Sequence, residues 1–251
     1  MRLATWNVNS LRARSELVGS WLSAYQPDVL CLQETKVKDE EFPVAVFHQL
    51  GYQVAHWGSS SWNGVALVTR EPVANLSRGF GADGEEARLI AGDVGGIRVF
   101  SVYVPNGRAL DDPHYDYKLL WLEALRAALA QAMTCGPVVV AGDFNIAPGD
   151  DDVWDPKALI GSTHVSEPER SALVRLMELG LFDCGATVPG EGPRYTWWDY
   201  RQGAFRRDMG MRIDLVLASE SLRTRVRGYQ VDRLTRAAPK PSDHAPVVVD
   251  L

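Results

Sequence analysis

The chain has 251 residues, 46% hydrophobic and 23% charged, a globular balance that excludes disordered and collagen-like classes. A formal net charge of −6 and 3 cysteines (Cys31, Cys135 and Cys184) without a CxxC spacing argue against a disulfide scaffold or structural zinc site and for a reducing cytoplasm. No apolar run approaches the ~20 residues of a membrane span and the amino terminus does not read as a signal peptide, so no membrane association is expected.

In chain order, a strand is expected at Leu3–Asn7, a helix over Leu11–Tyr25 and a strand at Val29–Gln33, followed by strands at Gly64–Thr69, Ala87–Val94 and Ile97–Val104. A helix over Tyr117–Met133 places Leu119, Leu122, Leu125, Leu129 and Ala132 on one stripe. A strand at Val138–Ala141 follows, then a helix over Glu169–Leu179 with Ser166-Glu167-Pro168-Glu169 as its capped start, then strands at Ile213–Ala218 and Ala245–Leu251. Continuous apolar runs such as Val29–Leu32 imply strands buried on both faces, whereas Arg98–Tyr103 alternates. Two sheets packed together with helices outside would bury both kinds, giving an α+β fold in one domain over residues 1–251. The longest irregular stretches, Asn106–Pro113, Gly142–Thr163 and Arg201–Gly210, have the length of functional loops.

Polar residues gather at strand ends. Asn7 and Asn9, Glu34, and Asp143 with Asn145 follow strands, whereas Asp214 and Asp243-His244 precede them. In a mixed or antiparallel sheet pair, all of these can meet on one rim. Each also has a bland reading: Asn7 as a helix cap, Glu34 as a first-turn acid, Asp143 and Asn145 as an Asx turn, Asp214 paired with Arg212, and His244 as a structural histidine. Taken together, four carboxylates on one rim repel unless a cation or shared proton offsets them. Carboxylate and amide oxygens with one histidine suit a hard ion, Mg²⁺ or Mn²⁺, with the histidine acting on a phosphoryl oxygen. That constellation describes metal-assisted hydrolysis of a phosphate ester. Residues 194–240 carry 11 basic against 5 acidic residues, +6 there and −12 elsewhere, and a phosphate backbone reads such a local face rather than the average charge.

Six ordered segments carry a family resemblance: Trp6–Arg12 (WNVNSLR), Leu32–Lys36 (LQETK), Val102–Gly107 (VYVPNG), Gly142–Asn145 (GDFN), Met211–Asp214 (MRID) and Pro241–Pro246 (PSDHAP). Spanning residues 6 to 246, they resemble exonuclease III, the bacterial apurinic/apyrimidinic endonuclease family, within the endonuclease/exonuclease/phosphatase superfamily. The resemblance implies a four-layer αββα sandwich of two mixed sheets flanked by helices. It also implies Glu34 as principal metal ligand beside Asn7, Asp143 activating water and held by Asn145, and His244 oriented by Asp214. Tyr103 would contact the scissile phosphate, and Asp243 would hold a second metal or support the leaving oxygen, with Asp143 and Asn145 completing the ligand set. Tyr195–Tyr200 would pack against an extrahelical abasic sugar, with at least one of Trp197 and Trp198 lining the pocket, the other open to a core role, and Met211 nearby. Asn63 would touch the backbone or simply form a hairpin turn, and Arg12, Lys118, Arg206 and Arg207 would contact phosphates.

The implied enzyme is a cytoplasmic, nucleoid-associated, monomeric Mg²⁺-dependent (or Mn²⁺-dependent) DNA-repair hydrolase. Its partner is double-stranded DNA with abasic sites or 3′ ends. It would cut 5′ to abasic sites, digest from 3′ ends and remove 3′-blocking phosphates. The alternatives are a superfamily phosphodiesterase or phosphatase acting on a non-nucleic-acid phosphoester, and a non-catalytic DNA-binding module.

Overall fold

Side chains alternate across a strand, and here that period sorts the apolar residues into three layers of core. The computed structural model describes residues 1–59, 61–82, 84–188 and 194–251. Its first half runs β1 (Arg2–Asn7), α1 (Leu11–Tyr25), β2 (Val29–Gln33), α2 (Val44–Gln49), β3 (Gln53–Trp57), β4 (Val65–Thr69), β5 (Ala74–Arg78), β6 (Leu89–Val94) and β7 (Ile97–Tyr103). The second half runs α3 (Pro113–Met133), β8 (Val138–Asp143), α4 (Glu167–Met177), β9 (Leu181–Asp183), α5 (Cys184–Thr187), β10 (Trp197–Trp198), β11 (Gly210–Met211), β12 (Asp214–Ser219), β13 (Gly228–Val231), α6 (Arg233–Arg236) and β14 (Val247–Asp250).

One six-stranded sheet has the order β13-β14-β1-β2-β4-β3 and the other β5-β6-β7-β8-β12-β9, with β10 and β11 as a separate pair. Both large sheets are mixed: β1 runs parallel to β2 and β7 to β8, and the other pairings are antiparallel. Leu3, Cys31, Leu67 and Val247 face Val99, Val139, Ala141 and Val216 between the sheets. On the outer face of the first sheet, Trp6, Leu30 and Leu32 pack on α1 and α2 residues such as Trp21 and Phe47. On the outer face of the second, Phe100, Val140 and Leu217 pack on Leu122, Leu125 and Leu173 of α3 and α4. The result is the αββα sandwich that the strand-rich pattern implies.

Helix α1 matches its expected bounds, but α3 begins at Pro113 rather than Tyr117. Asp112 caps it by accepting a hydrogen bond from His114 N at 2.8 Å, and Pro113 occupies the first turn, where its missing N–H costs nothing. Helix α4 starts at Glu167 behind the Ser166–Glu169 capping box. Strands β3, β5, β9 and β13 are additions, and each lies at an edge of its sheet. All three cysteines are free thiols, two of them buried. Among the described residues, no helix is long and apolar enough to cross a membrane.

Candidate active site

The two parallel pairs place the carboxyl ends of β1, β2, β7 and β8 on the same side as the amino ends of β12 and β14. Asn7 is level with Gln33 across β1 and β2, while Asp143 is level with Tyr103 on one flank and Asp214 on the other. Gly142 is dictated by this approach, because a Cβ there would lie 1.9 Å from Val102 O on the neighbouring strand. Below the rim a fully buried polar ladder runs between the sheets: Thr5 Oγ1 donates to Gln33 Oε1 and Gln33 Nε2 donates to Ser101 Oγ, both at 3.1 Å. The acids at the rim therefore stand on a rigid, dry base.

Asn7 Nδ2 donates to Glu34 Oε1 at 2.7 Å and to Asp143 Oδ2 at 3.0 Å, bridging the two carboxylates. Lys36 Nζ lies 2.9 Å from Glu34 Oε2 and donates to Asn9 Oδ1 at 2.6 Å. Asp143 Oδ1 accepts from Asn145 N at 2.9 Å, leaving Oδ2 toward the cleft. This is the Asx turn of the bland reading, and here it also aims the carboxylate. Burial, together with the charges of Asp214 and Glu34, pushes the Asp143 carboxyl up to about 7, against the pull of His244 and the Asn145 N–H.

His244 Nδ1 lies 2.8 Å from Asp214 Oδ2, and its Nε2 lies 3.8 Å from Asp143 Oδ2. Burial opposes charge on this ring, yet Asp214, Asp143 and Asp243 outweigh it and raise the imidazole to about 10. A protonated Nε2–H thus points at the cleft. Asp214 does not pair with Arg212, whose guanidinium instead meets Asp152 at 2.6 Å and Asp183 at 2.7 Å. Burial, with Glu34 and Asp143 nearby, holds the Tyr103 phenol well above its ordinary range despite the Arg88 guanidinium 4.7 Å from its ring centre, so the hydroxyl stays protonated.

Glu34, Asp143 and His244 offer ligand atoms within 4.8 Å of one another. The Glu34 and Asp143 oxygens suit a hard divalent cation, and hard cations of this kind prefer oxygen to imidazole ligands. The sequence also places Asn145 and Asp243 in the ligand set, and both are hydrogen-bonded at the rim. Asn145 Nδ2 donates to Val104 O at 2.9 Å, and its Oδ1 accepts from His164 Nε2 at 3.0 Å and Asn106 Nδ2 at 3.1 Å. Asp243 accepts from Asn9 Nδ2 at 2.9 Å and Trp197 Nε1 at 3.0 Å. Both side chains are engaged in holding their neighbours.

The β10 alternation separates the adjacent tryptophans. Trp197 faces a cavity of about 350 Å³ that it lines with Met211, Trp154, Leu159 and Met209. Trp198 is a correction: it is fully buried, its ring edge-on to Tyr195 and Phe205, and cannot touch a sugar. Lys118 is a second correction. Its side chain has no exposure, is ion-paired with Glu169, and donates to Asn145 O at 2.7 Å and Asn106 O at 3.2 Å. It supports the Asn145 turn from beneath rather than meeting phosphate. Arg206 and Arg207 are exposed, and Arg12, also exposed, pairs with Glu41. Asn63 has a φ of 58° in the turn before β4, and its carbonyl accepts from Lys36 N at 2.9 Å, so it also buttresses the Glu34 segment.

Sequence reasoning missed Asn106, His164 and Lys36 as members of this site. Asn106 and Lys36 lie inside the quoted VYVPNG and LQETK segments, so a signal existed. His164 sits in a long loop with no pattern around it, and only the fold brings it to Asn145.

A sequence model of the Endonuclease/Exonuclease/phosphatase family matches residues 4–244. Exodeoxyribonuclease III of Haemophilus influenzae is 34% identical, with 98% of each chain covered. The 3′ phosphatase NExo from Neisseria, solved bound to a product DNA hairpin, superposes with a TM-score of 0.98 at 41% identity, covering 100% of this chain and 99% of that one. An AP endonuclease from Archaeoglobus fulgidus superposes with a TM-score of 0.96 at 40% identity, covering 99% and 98%.

Proposed function

The chain belongs to the endonuclease/exonuclease/phosphatase family, and on that premise we propose that it is a Mg²⁺-dependent phosphodiester hydrolase of DNA repair. In this reading it cuts the backbone 5′ to abasic sites and trims 3′ ends and 3′ phosphates of duplex DNA. The observation that carries the proposal is the buried Asp143 carboxylate set between Glu34, to which Asn7 Nδ2 bridges it, and His244, whose Nε2 lies 3.8 Å away and whose Nδ1 is held by Asp214. Such a set can take a proton from water on one side and donate to a phosphoryl oxygen on the other.

Asp143 accepts the proton of the attacking water through Oδ2, the oxygen nearest His244 Nε2 and on the Glu34 side, while Oδ1 accepts from the Asn145 N–H. Asn145 in turn is fixed by Val104 O, Asn106 and His164. His244, kept charged by Asp214, donates from Nε2 to a non-bridging oxygen and stabilises the negative charge that grows there. Tyr103, protonated beside Glu34 and Asp143, adds a second donor. Glu34 and Asp143 would hold the divalent ion, which when bound neutralises phosphate charge. The cavity walled by Trp197 and Met211, with Asp199, Arg201 and Gln202 also on its lining, suits a sugar that has lost its base, since such a sugar offers little to hydrogen-bond and is cheap to extrude. Arg206 and Arg207, exposed in the loop that follows, suit phosphates flanking the cut and would position DNA without reading sequence.

Two structural neighbours at nearly equal identity carry different names, a 3′ phosphatase and an AP endonuclease, so both substrates belong in one test. A duplex with a tetrahydrofuran abasic analogue and a duplex ending in a 3′ phosphate are incubated with and without EDTA. Strand cleavage at the analogue, which cannot undergo β-elimination, supports hydrolysis at abasic sites, and inorganic phosphate release from the second supports end cleaning. Inertness toward both with Mg²⁺ present would refute the reading. Glu34→Gln is expected to raise the Mg²⁺ concentration needed for half-maximal rate at least about 10–100-fold, the range seen when only a ligand's supporting partner is lost. Superimposable Mg²⁺ titrations for the variant and parent would remove Glu34 from the ion site.

A further inference from the structure

Behind the Glu34 turn, on the side away from the cleft, lies a second polar cluster that the chemistry above does not use. Glu34 and Lys36 both have left-handed backbones, with φ of 48° and 52°, a conformation that L side chains adopt at a cost and that persists only where the surroundings over-determine it. Ser10 N donates to Glu34 O at 2.8 Å and Lys36 N to Asn63 O at 2.9 Å, and Thr35, between Glu34 and Lys36, adds to that determination. Its N–H donates to Gly64 O at 3.1 Å and its carbonyl accepts from Leu11 N at 2.9 Å. Its hydroxyl lies 2.9 Å from His56 Nε2. Both the hydroxyl and the ring are buried, so water cannot replace the bond.

His56 is clamped in its own right. Its Nδ1 lies 2.9 Å from Asp39 Oδ1 in a bent approach, and its ring centre is 4.1 Å from that of Phe42. Asp39 is fixed by accepting from Gly58 N at 2.8 Å and by Arg78 at 3.2 Å. Gly64 leaves room for the arrangement: at its φ of 93°, a Cβ would fall 2.1 Å from Thr35 Oγ1.

We propose that His56 is a positioning residue for the ion-holding carboxylate, acting through the Thr35 hydroxyl to lock the left-handed Glu34–Lys36 turn so that Glu34 faces Asp143. Burial lowers the imidazole to about 4 against the opposing pull of Asp39, so the ring is neutral and carries one proton. Asp39 Oδ1 stands 2.9 Å from Nδ1 without the alignment of a hydrogen bond, and its charge favours the proton on Nδ1, leaving Nε2 to accept from Thr35. The hydrogen-bonded link thus runs from His56 through Thr35 and ends at the backbone of Glu34. Releasing the hydroxyl frees a strained turn to relax, and the first quantity to suffer is ion affinity rather than the chemistry at Asp143.

The inference rests on Glu34 being an ion ligand, so Glu34→Gln is included as a separate arm. Mn²⁺ binding to the DNA-free protein is followed by the electron paramagnetic resonance of free Mn²⁺. Thr35→Val keeps the branched shape and drops the hydroxyl, and His56→Phe keeps a ring. Each is expected to weaken Mn²⁺ binding about two- to tenfold, the worth of one net hydrogen bond. The double variant should be no weaker than the weaker single one, because both break the same link. Thr35→Ser, which retains the hydroxyl, should stay within about twofold of the parent. The Mg²⁺ midpoint for hydrolysis should shift in parallel while the rate at saturating Mg²⁺ is retained.

Mn²⁺ isotherms of Thr35→Val and His56→Phe that overlay the parent would overturn the proposal, as would Thr35→Ser binding as weakly as Thr35→Val. Should His56→Phe fail to fold, the two Thr35 variants decide the matter alone. Parental Mn²⁺ affinity in Glu34→Gln would sink the ligand assignment itself. Weakened binding there with parental binding in Thr35→Val would sink only the His56–Thr35 link.

Discussion

Asp143→Asn is expected to lower the hydrolysis rate about 10²–10⁴-fold, the usual share of a positioned general base, while duplex affinity stays near that of the parent. The substitution changes almost no volume, so the effect isolates charge. Asp143 Oδ1 would still be represented by an amide oxygen accepting from Asn145 N. The new amide nitrogen would then occupy the place of Oδ2, facing two donors: Asn7 Nδ2 at 3.0 Å and the protonated His244 Nε2 at 3.8 Å. It could neither take a proton from water nor hold a cation jointly with Glu34. The exposed basic side chains beyond the cleft, Arg206 and Arg207 among them, are untouched, and phosphate contacts dominate affinity for a duplex. Single-turnover cleavage of the tetrahydrofuran duplex and a fluorescence-anisotropy binding curve, run on the same protein, separate the two effects. Parental turnover would remove Asp143 from the reaction, whereas loss of binding in step with rate would mean that the carboxylate serves the DNA rather than the water.

The parts of the molecule legible in the sequence are those where a local pattern and a long-range constraint coincide. Val29–Gln33 and Val138–Asp143 are buried on both faces, so their apolar runs announce central strands and their polar successors, Glu34 and Asn145, announce the rim. Edge strands carry no such run. Ala74–Arg78 is largely exposed, and its sequence, ANLSR, resembles a loop. Asp112-Pro113 is a helix start that apolar periodicity alone overlooks, because the first turn of α3 carries little of the stripe.

Within the site, Trp197 and Trp198 show why neighbours in sequence can differ in role. A strand turns successive side chains to opposite faces, so one indole hydrogen-bonds Asp243 at the cleft while the other is lost to the core. Asp214 and His244 are 30 residues apart, and their 2.8 Å contact depends on the order of strands in two sheets. His56 and Thr35 are joined only because β3 lies beside β4 and the Glu34 turn rests on Gly64. Single-sequence patterns specify faces and ends of elements, and such meetings are decided one level higher.

Lys118→Met should destabilise the protein by about 3–5 kcal/mol near neutral pH, the range for breaking one side of a buried ion pair. The methionine can fill the path of the aliphatic stem but leaves three acceptors behind. The carbonyls of Asn145 and Asn106 lose their donor, and Glu169 loses its counter-charge. A residue serving only to contact phosphate would behave differently, costing affinity and part of its salt dependence with little effect on folding.

The pH dependence carries a sign that fixes the cause. In the parent, burial pushes the Glu169 carboxyl up, but Lys118, Ser166 and the His164 N–H more than offset it, so the folded value lies below the ordinary one. That stabilisation is present above the ordinary carboxylate range and is lost as pH falls through the depressed folded value. Without Lys118 the largest opposition to burial is gone and the folded value moves upward from its parental position. The variant therefore lacks the stabilisation that the parent gains as pH rises through the carboxylate range. The stability gap between parent and variant should accordingly be widest near pH 7 and narrow toward about pH 4, where Glu169 takes up a proton. Urea unfolding at both pH values measures it directly. A gap that stays constant, or that widens on acidification, would show that Lys118 stabilises the protein by packing rather than through the charge it shares with Glu169.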